Sequence, residues 1–383
     1  MIFCKLKTGV LFVFMVTIIA CNPKAKEVKS TTIDIIAGTY TNKESEGIYL
    51  LSLDTITGEI ATKGLLAKTN NPSYLDFSAD KSIVYAINED GKGPESKGGG
   101  VSSFIWDSKN KTLTTQSHQL TQGDHPCYVS LNPNTTYLSA ANYSGGNITL
   151  FKLGEEGQIL PNPEIRNHSG QGADSTRQKA PHAHCSLWNP SGNQLYAVDL
   201  GIDQVLSYQF NEATGALGQG KTAFELEGGS GPRHLVFHPT KKMAFVVNEL
   251  NNRVQSLKYG DDSSELTLID EQVSLPEGYT ETSYIGHVEI SSNGKYLYVS
   301  NRGHNSIAVL SVSESGMLQL IDTFPVKGDW PRFFTLSPNG KHLLVANQRS
   351  NNIVVFQIDA ATGKLLDIEK EVTLDTPVHL LFP

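Results

Sequence analysis

The chain has 383 residues, 39% of them apolar and 18% charged, with a formal net charge of -8 and only four cysteines. That length exceeds one ordinary hydrophobic core and calls for two domains or a repeat array. The acidic balance and the absence of any Lys/Arg run exclude a nucleic-acid or anionic-membrane surface as the main partner, and so few cysteines exclude a disulfide framework.

Residues 1–20 read as an export signal. Lys5 and Lys7 precede an uncharged apolar run from Thr8 to Ala20, which is shorter than the roughly 20 residues a spanning helix needs. The ending Ala20-Cys21 resembles a lipoprotein signal, with Cys21 as the lipidated first residue of the mature chain. Residues 21–32 are then a polar tether. This predicts an exported protein anchored to the bacterial cell envelope, in the periplasm or at the outer membrane, through Cys21. Removing Lys5 and Lys7 takes the formal charge from -8 to -10 and leaves 363 residues, with Cys127 and Cys185 expected as free thiols.

From residue 33 to residue 383 one frame recurs: a Pro, a variable residue, alternating apolar positions, a turn, an apolar run and an Asn. Its copies are Pro72 to Asn88, Pro126 to Asn142, Ala183 to Asp199, Pro232 to Asn248, Ile285 to Asn301 and Pro331 to Asn347, whose ends are spaced 54, 57, 49, 53 and 46 residues apart. Two further strand-like runs lie between successive copies, for example Ile307 to Val312 and Ile353 to Ile358, so each unit is four strands. A seventh copy is divided between the chain ends, with Pro377 to Pro383 as its first strand and Ile33 to Thr39 as its second. A closed ring lets one end complete the other and removes the unpaired edges. The predicted fold is therefore all-β: a seven-bladed β-propeller of four-stranded antiparallel blades, closed by N- and C-terminal strands in one blade.

Most connections are Asx/Gly turns such as Asp359 to Gly363. Asp90 to Gly100 reads as a flexible Gly-rich loop. Arg166 to Pro181 is longer than a turn requires, is polar, and leads into His182 and His184, which marks it as functional.

In an up-and-down blade, residues just after the frame's Pro and just after its Asn lie at the same rim of the channel. The first set is Ser73, Cys127, His184, Arg233, Gly286, Arg332 and Val378; the second is Tyr40, Glu89, Tyr143, Leu200, Glu249, Arg302 and Gln348. His184, Arg233, Glu249, Arg302 and Arg332 are more ionisable chemistry than packing requires, although Arg233 and Glu249 could simply pair across their hairpin. His234, His287 and His379, one position further on, are expected to face blade interfaces as core histidines. His182 and His184 could share a metal, but no third ligand is evident and nearby arginines would repel a cation, so neither metal nor cofactor is expected. No nucleophile elbow, zinc motif, phosphate loop or dinucleotide fingerprint occurs.

Arg177-Gln178, Pro181 to His184, Gly231 to His234, Asn248-Glu249, Lys295 to Arg302, Trp330 to Arg332 and Ala37 to Thr41 together resemble the propeller-type 6-phosphogluconolactonase family, related to carboxymuconate cycloisomerase. The resemblance covers essentially the whole mature chain. It implies lactone hydrolysis in the central mouth without metal, by His184, Arg233, Glu249 and Arg302, with Arg177 and His182 beside them; the register adds Arg332. In this reading His184 or Glu249 activates water, Arg233 and Arg302 hold the carbonyl, and Arg177 with Arg332 orients the substrate. The expected partner is a small sugar lactone, phosphorylated or not, and the expected state a monomer. A non-catalytic ligand- or protein-binding propeller and a muconate-type cycloisomerase are the alternatives.

Overall fold

The structure, a computed structural model, describes residues 1–3, 9, 31–92, 98–260 and 264–383. The signal, lipidation and tether assignments, including Cys21, lie almost entirely outside the described residues, as do residues 93–97 of the Gly-rich loop. Residues Thr31–Pro383 form one compact unit.

Seven antiparallel sheets make up this unit. Blade 1 joins Pro377–Leu381 to Thr32–Thr39, Gly47–Asp54 and Ile60–Lys68, so the two ends of the chain share one sheet as the sequence predicts. Blades 2 to 7 begin at Leu75–Phe77, Pro126–Leu131, Ala183–Trp188, Pro232–Phe237, Tyr284–Ile290 and Pro331–Leu336 and run outward in chain order; the fourth carries a fifth short strand, Ala216–Leu217.

Burial explains the two kinds of strand pattern. The inner strands are covered on both faces by the flanking blades, so they read as continuous apolar runs: Ile353, Val354, Val355 and Phe356 are all buried. The outermost strands cover one face only and alternate, as in Leu365–Thr373. The core is accordingly a series of layers between blades. One joins Ile35, Leu51 and Leu380 of blade 1 to Leu344 and Val355 of blade 7. Each such buried Val, Leu or Ile contributes roughly 1.5–3 kcal/mol.

One irregularity repeats and matters for function. Pairing of the first two strands slips at Pro126/Tyr128, Ala183/Cys185, Pro232/His234 and Pro331/Phe333, and at Gly286 and His287 in blade 6. Closing blade 1 slips likewise, passing over Val378. The extra residue of each bulge is the first position after the frame's Pro, and a bulge re-aims the side chain that it carries. Thus Cys127, His184, Arg233 and Arg332 occupy bulges.

Candidate active site

The bulges and the ends of the second strands enclose a cavity of about 330 Å³ lined by Tyr40, Glu89, Cys127, Tyr143, Arg177, His184, Glu249, Tyr284, Arg302, Trp330, Arg332 and Gln348. All seven blades contribute residues expected at one rim, among them Tyr40, Glu89, Cys127, His184, Glu249, Arg302 and Arg332.

Glu249 is the electrostatic centre. Its carboxylate accepts Arg177 Nη2 on Oε1 at 2.6 Å, and on Oε2 it pairs with Arg302 Nη2 at 2.7 Å and Arg233 Nε at 3.1 Å. Burial alone would raise its pKa, but Arg302, Arg233, His184 and Arg177 together hold it well below the carboxylate range. A carboxylate held this strongly is a poor proton acceptor. Arg233 and Glu249 do pair across their hairpin, and the same carboxylate also gathers two arginines from elsewhere.

Arg233 is only 2% exposed and lies beneath the cavity, outside its lining. It donates to Glu249, to the carbonyl of Gly286 and, at 3.1 Å, to His234 Nε2. A Cβ at position 286 would stand 2.7 Å from Pro331 O and Ser300 Oγ, so glycine lets the next blade's backbone approach closely here. Burial, then Arg302 and Arg332, push Arg233 down to about 9, which leaves it protonated at neutral pH.

His184 is buried, and burial and Arg233 hold its pKa well below the ordinary histidine value, so the imidazole is neutral. Its Nδ1 lies 3.7 Å from Cys127 Sγ. Cys127 and Cys185 are free and buried, as expected, and burial pushes both thiols up. His182 stands outside the lining: its ring stacks on Tyr143 at 4.5 Å, and its Nδ1 meets Tyr143 O at 2.9 Å. The His184 ring meets the same Tyr143 ring edge-on at 5.5 Å. Among the described residues no group of three or more His, Cys, Asp or Glu could hold a metal ion.

The loop 166–181 delivers Arg177 through a turn built on Asp174, whose Oδ1 accepts Thr176 N and Arg177 N. Gln178 pins the loop by donating to Leu200 O and Asp203 Oδ1, both at 2.7 Å. Arg332 sits over Tyr40 with 5.2 Å from Cζ to the ring centroid and 3.6 Å from Glu89; Tyr40 donates to that same glutamate at 2.8 Å.

Two aromatic walls, Tyr284 and Trp330, are absent from the sequence-derived site. Arg302 lies over Trp330 at 5.4 Å, Arg349 covers the indole at 3.4 Å, and Arg177 lies over Tyr284 at 5.6 Å. The available signal was their position: each immediately precedes the first frame residue, Ile285 or Pro331. Leu200, in contrast, is buried beneath Gln178.

His234, His287 and His379 are buried as expected but do not face blade interfaces. They meet Tyr74, Tyr128 and Phe333 around the channel axis, below the cavity. The bulge turns two consecutive residues toward the axis, where strict alternation would send the second one away.

Known proteins share this architecture. The family described as "Lactonase, 7-bladed beta-propeller" matches residues 34–382. The chain is 35% identical over 347 residues to the 6-phosphogluconolactonase of Bacillus subtilis, covering 90% of this chain and 97% of that protein. The solved periplasmic gluconolactonase of Pseudomonas aeruginosa is 32% identical, with a TM-score of 0.85 over 92% of this chain and 99% of that one. A Lactobacillus plantarum protein is 33% identical, with a TM-score of 0.84 over 92% and 99%. With its ring closure and its single match from residue 34 to residue 382, the chain belongs to the seven-bladed β-propeller lactonase family.

Proposed function

We propose that the protein hydrolyses the ring ester of a sugar lactone, either glucono-1,5-lactone or its 6-phosphate. The observation that carries this reading is a neutral imidazole, His184, and the guanidinium of Arg302 lining one cavity beside a carboxylate fixed in its charged form.

Hydrolysis needs a proton acceptor for the attacking water, a donor toward the carbonyl oxygen as negative charge grows there, and a proton for the departing ring alkoxide. His184 is uncharged and can take the water's proton. As the oxyanion forms, it offsets the field of Arg233 that disfavours the imidazolium, so His184 becomes a better base in the transition state than in the free protein. It can then return the proton to the alkoxide. Arg302 faces the oxyanion, and one such donor contributes about 3 kcal/mol. Glu249 and Arg233 hold Arg302 and Arg177 in place, which shifts the base role to His184 and moves Arg233 to support. Arg332 and Arg177 suit the hydroxyl-rich or phosphorylated end of the substrate.

Alkali-uptake titration tests the reading with both lactones. The wild-type chain should exceed the spontaneous rate on at least one of them, and Arg302→Ala should lose about 10²- to 10³-fold in kcat; no acceleration on either lactone refutes it. Export and lipid anchoring through Cys21 belong to the same proposal. They are supported by Lys5, Lys7, the apolar run to Ala20 and the periplasmic description of the Pseudomonas relative. Cells should incorporate labelled palmitate into the wild-type protein and not into Cys21→Ser; equal labelling of both removes the anchor.

A further inference from the structure

Below the cavity, four side chains follow one another down the channel axis. Arg233 Nη1 lies 3.1 Å from His234 Nε2, His234 Nδ1 lies 2.9 Å from His287 Nδ1, and His287 Nε2 lies 3.5 Å from Glu289 Oε1. Arg233, His234 and His287 are 2%, 3% and 6% exposed. Glu289 lines a second cavity, of about 310 Å³, that also takes in His234, His287, His379, Tyr74 and Asp76. Its other oxygen accepts Leu336 N at 3.0 Å.

The direction of every bond in the series follows from its first member. A guanidinium has donors only, so His234 Nε2 must accept. Both imidazoles are neutral, because burial and the charge of Arg233 disfavour their protonated forms. Neutral His234 therefore carries its proton on Nδ1 and donates it to His287 Nδ1. Neutral His287 carries its own proton on Nε2, which faces the glutamate. If either imidazole took the opposite tautomer, two donors or two lone pairs would meet in a buried place, which costs about 1–3 kcal/mol.

The geometry points to His234 and His287 as positioning residues that hold Arg233 under the lactone site through a one-way hydrogen-bond chain, Arg233 to His234 to His287, whose Nε2 faces Glu289 across 3.5 Å. Arg233 in turn braces Glu249, which fixes Arg302 and Arg177. No group in this chain touches the cavity contents except through Glu249. The catalytic consequence rests on the lactone-hydrolase reading; the bond direction does not.

Histidine-labelled protein, examined by long-range ¹H–¹⁵N correlation at pH 7.5, tests the chain directly. His234 should show the Nδ1–H tautomer and His287 the Nε2–H tautomer; the reverse assignment, or a charged ring, overturns the proposal. His287→Phe retains an aromatic ring against Phe333, which now lies 4.2 Å away, and removes the acceptor. It should lower kcat on the lactone roughly 10- to 100-fold with KM changed less than about twofold. His287→Asn, whose amide oxygen can stand in for Nδ1, should recover most of the loss, as a role in packing alone would not. Unchanged kcat in His287→Phe, or no recovery in His287→Asn, overturns the positioning role. Should the wild type hydrolyse no lactone, the functional reading fails separately, and exchange of the Arg233 Nε–H decides. Loss of about tenfold protection in His287→Phe, regained in His287→Asn, supports the chain; equal protection in all three proteins refutes it.

Discussion

His184, His234, His287 and His379 are each at most 6% exposed, and burial holds all four well below the ordinary histidine value; Arg233 adds to this at the first three, and His287 at the last. An unfolded histidine titrates near 6.5, so below that pH the unfolded chain binds protons that the folded one refuses. Stability then rises with pH toward 6.5 and is lost on acidification. Asp76 and Glu289 act in the opposite sense. Burial raises each to about 7 in the folded chain, against roughly 4 unfolded; their contribution is present at low pH and lost as pH rises through 7. Between pH 5 and 6.5 four histidines oppose two carboxyls, and His118, His238, His304 and His342 shift in the histidines' direction. The urea midpoint should therefore climb from pH 5 to pH 6.5. A flat or falling midpoint would show that the channel histidines are not held neutral.

At the level of strands, the blades were legible because each frame repeats a Pro, an apolar run and an Asn, and because a buried inner strand needs apolar residues on both faces. The site was legible to the same extent: residues following the Pro and the Asn do meet, which brings His184, Glu249, Arg302 and Arg332 to one cavity. What escaped is the bulge, since it depends on how two strands pair and leaves no fixed residue type behind. It accounts for the histidines turned toward the axis. A second hidden feature is backbone conformation before the frame's Pro. Asn71, His125, Gly231, Trp330 and Thr376 all have positive φ, between 40° and 65°. Four of the five are not glycine, and such conformations persist only where surrounding structure enforces them. At Trp330 that structure includes the two arginines on the indole, so an aromatic wall of the site rests on a backbone setting that the sequence does not spell out. Three pairs of successive blades are also clasped by one side chain at the fourth position past the frame's first residue. Asp76 accepts Leu131 N at 3.1 Å, Ser130 donates to Ser186 O at 2.7 Å, and Glu289 accepts Leu336 N at 3.0 Å.

The whole ring depends on its last strand. Pro377–Leu381 is the inner strand of blade 1, where Val378, His379 and Leu380 are 2%, 2% and 1% exposed. The junction is reinforced by contacts between the two ends of the chain: Thr376 Oγ1 donates to Tyr40 O at 2.6 Å, and Asp375 accepts the amides of Glu44 and Ser45 at 2.9 and 3.0 Å. The cost of joining distant segments grows only slowly with the length between them, so the closing strand can offset it with a few ladder bonds and two or three buried apolar side chains. Those side chains contribute roughly 1.5–3 kcal/mol each, and a typical domain is stable by about 5–15 kcal/mol in total. Removing residues 377–383 would also expose the edge of Thr32–Thr39 and open the channel beside Tyr74, against which His379 packs at 4.1 Å. A chain ending at Thr376 should therefore lack a cooperative thermal transition and aggregate. A synthetic peptide of residues 377–383 added at millimolar concentration should restore part of the transition, because it pairs with the same edge. A truncated chain that melts within a few degrees of the full one would mean that the blade interfaces hold the ring without its closing strand.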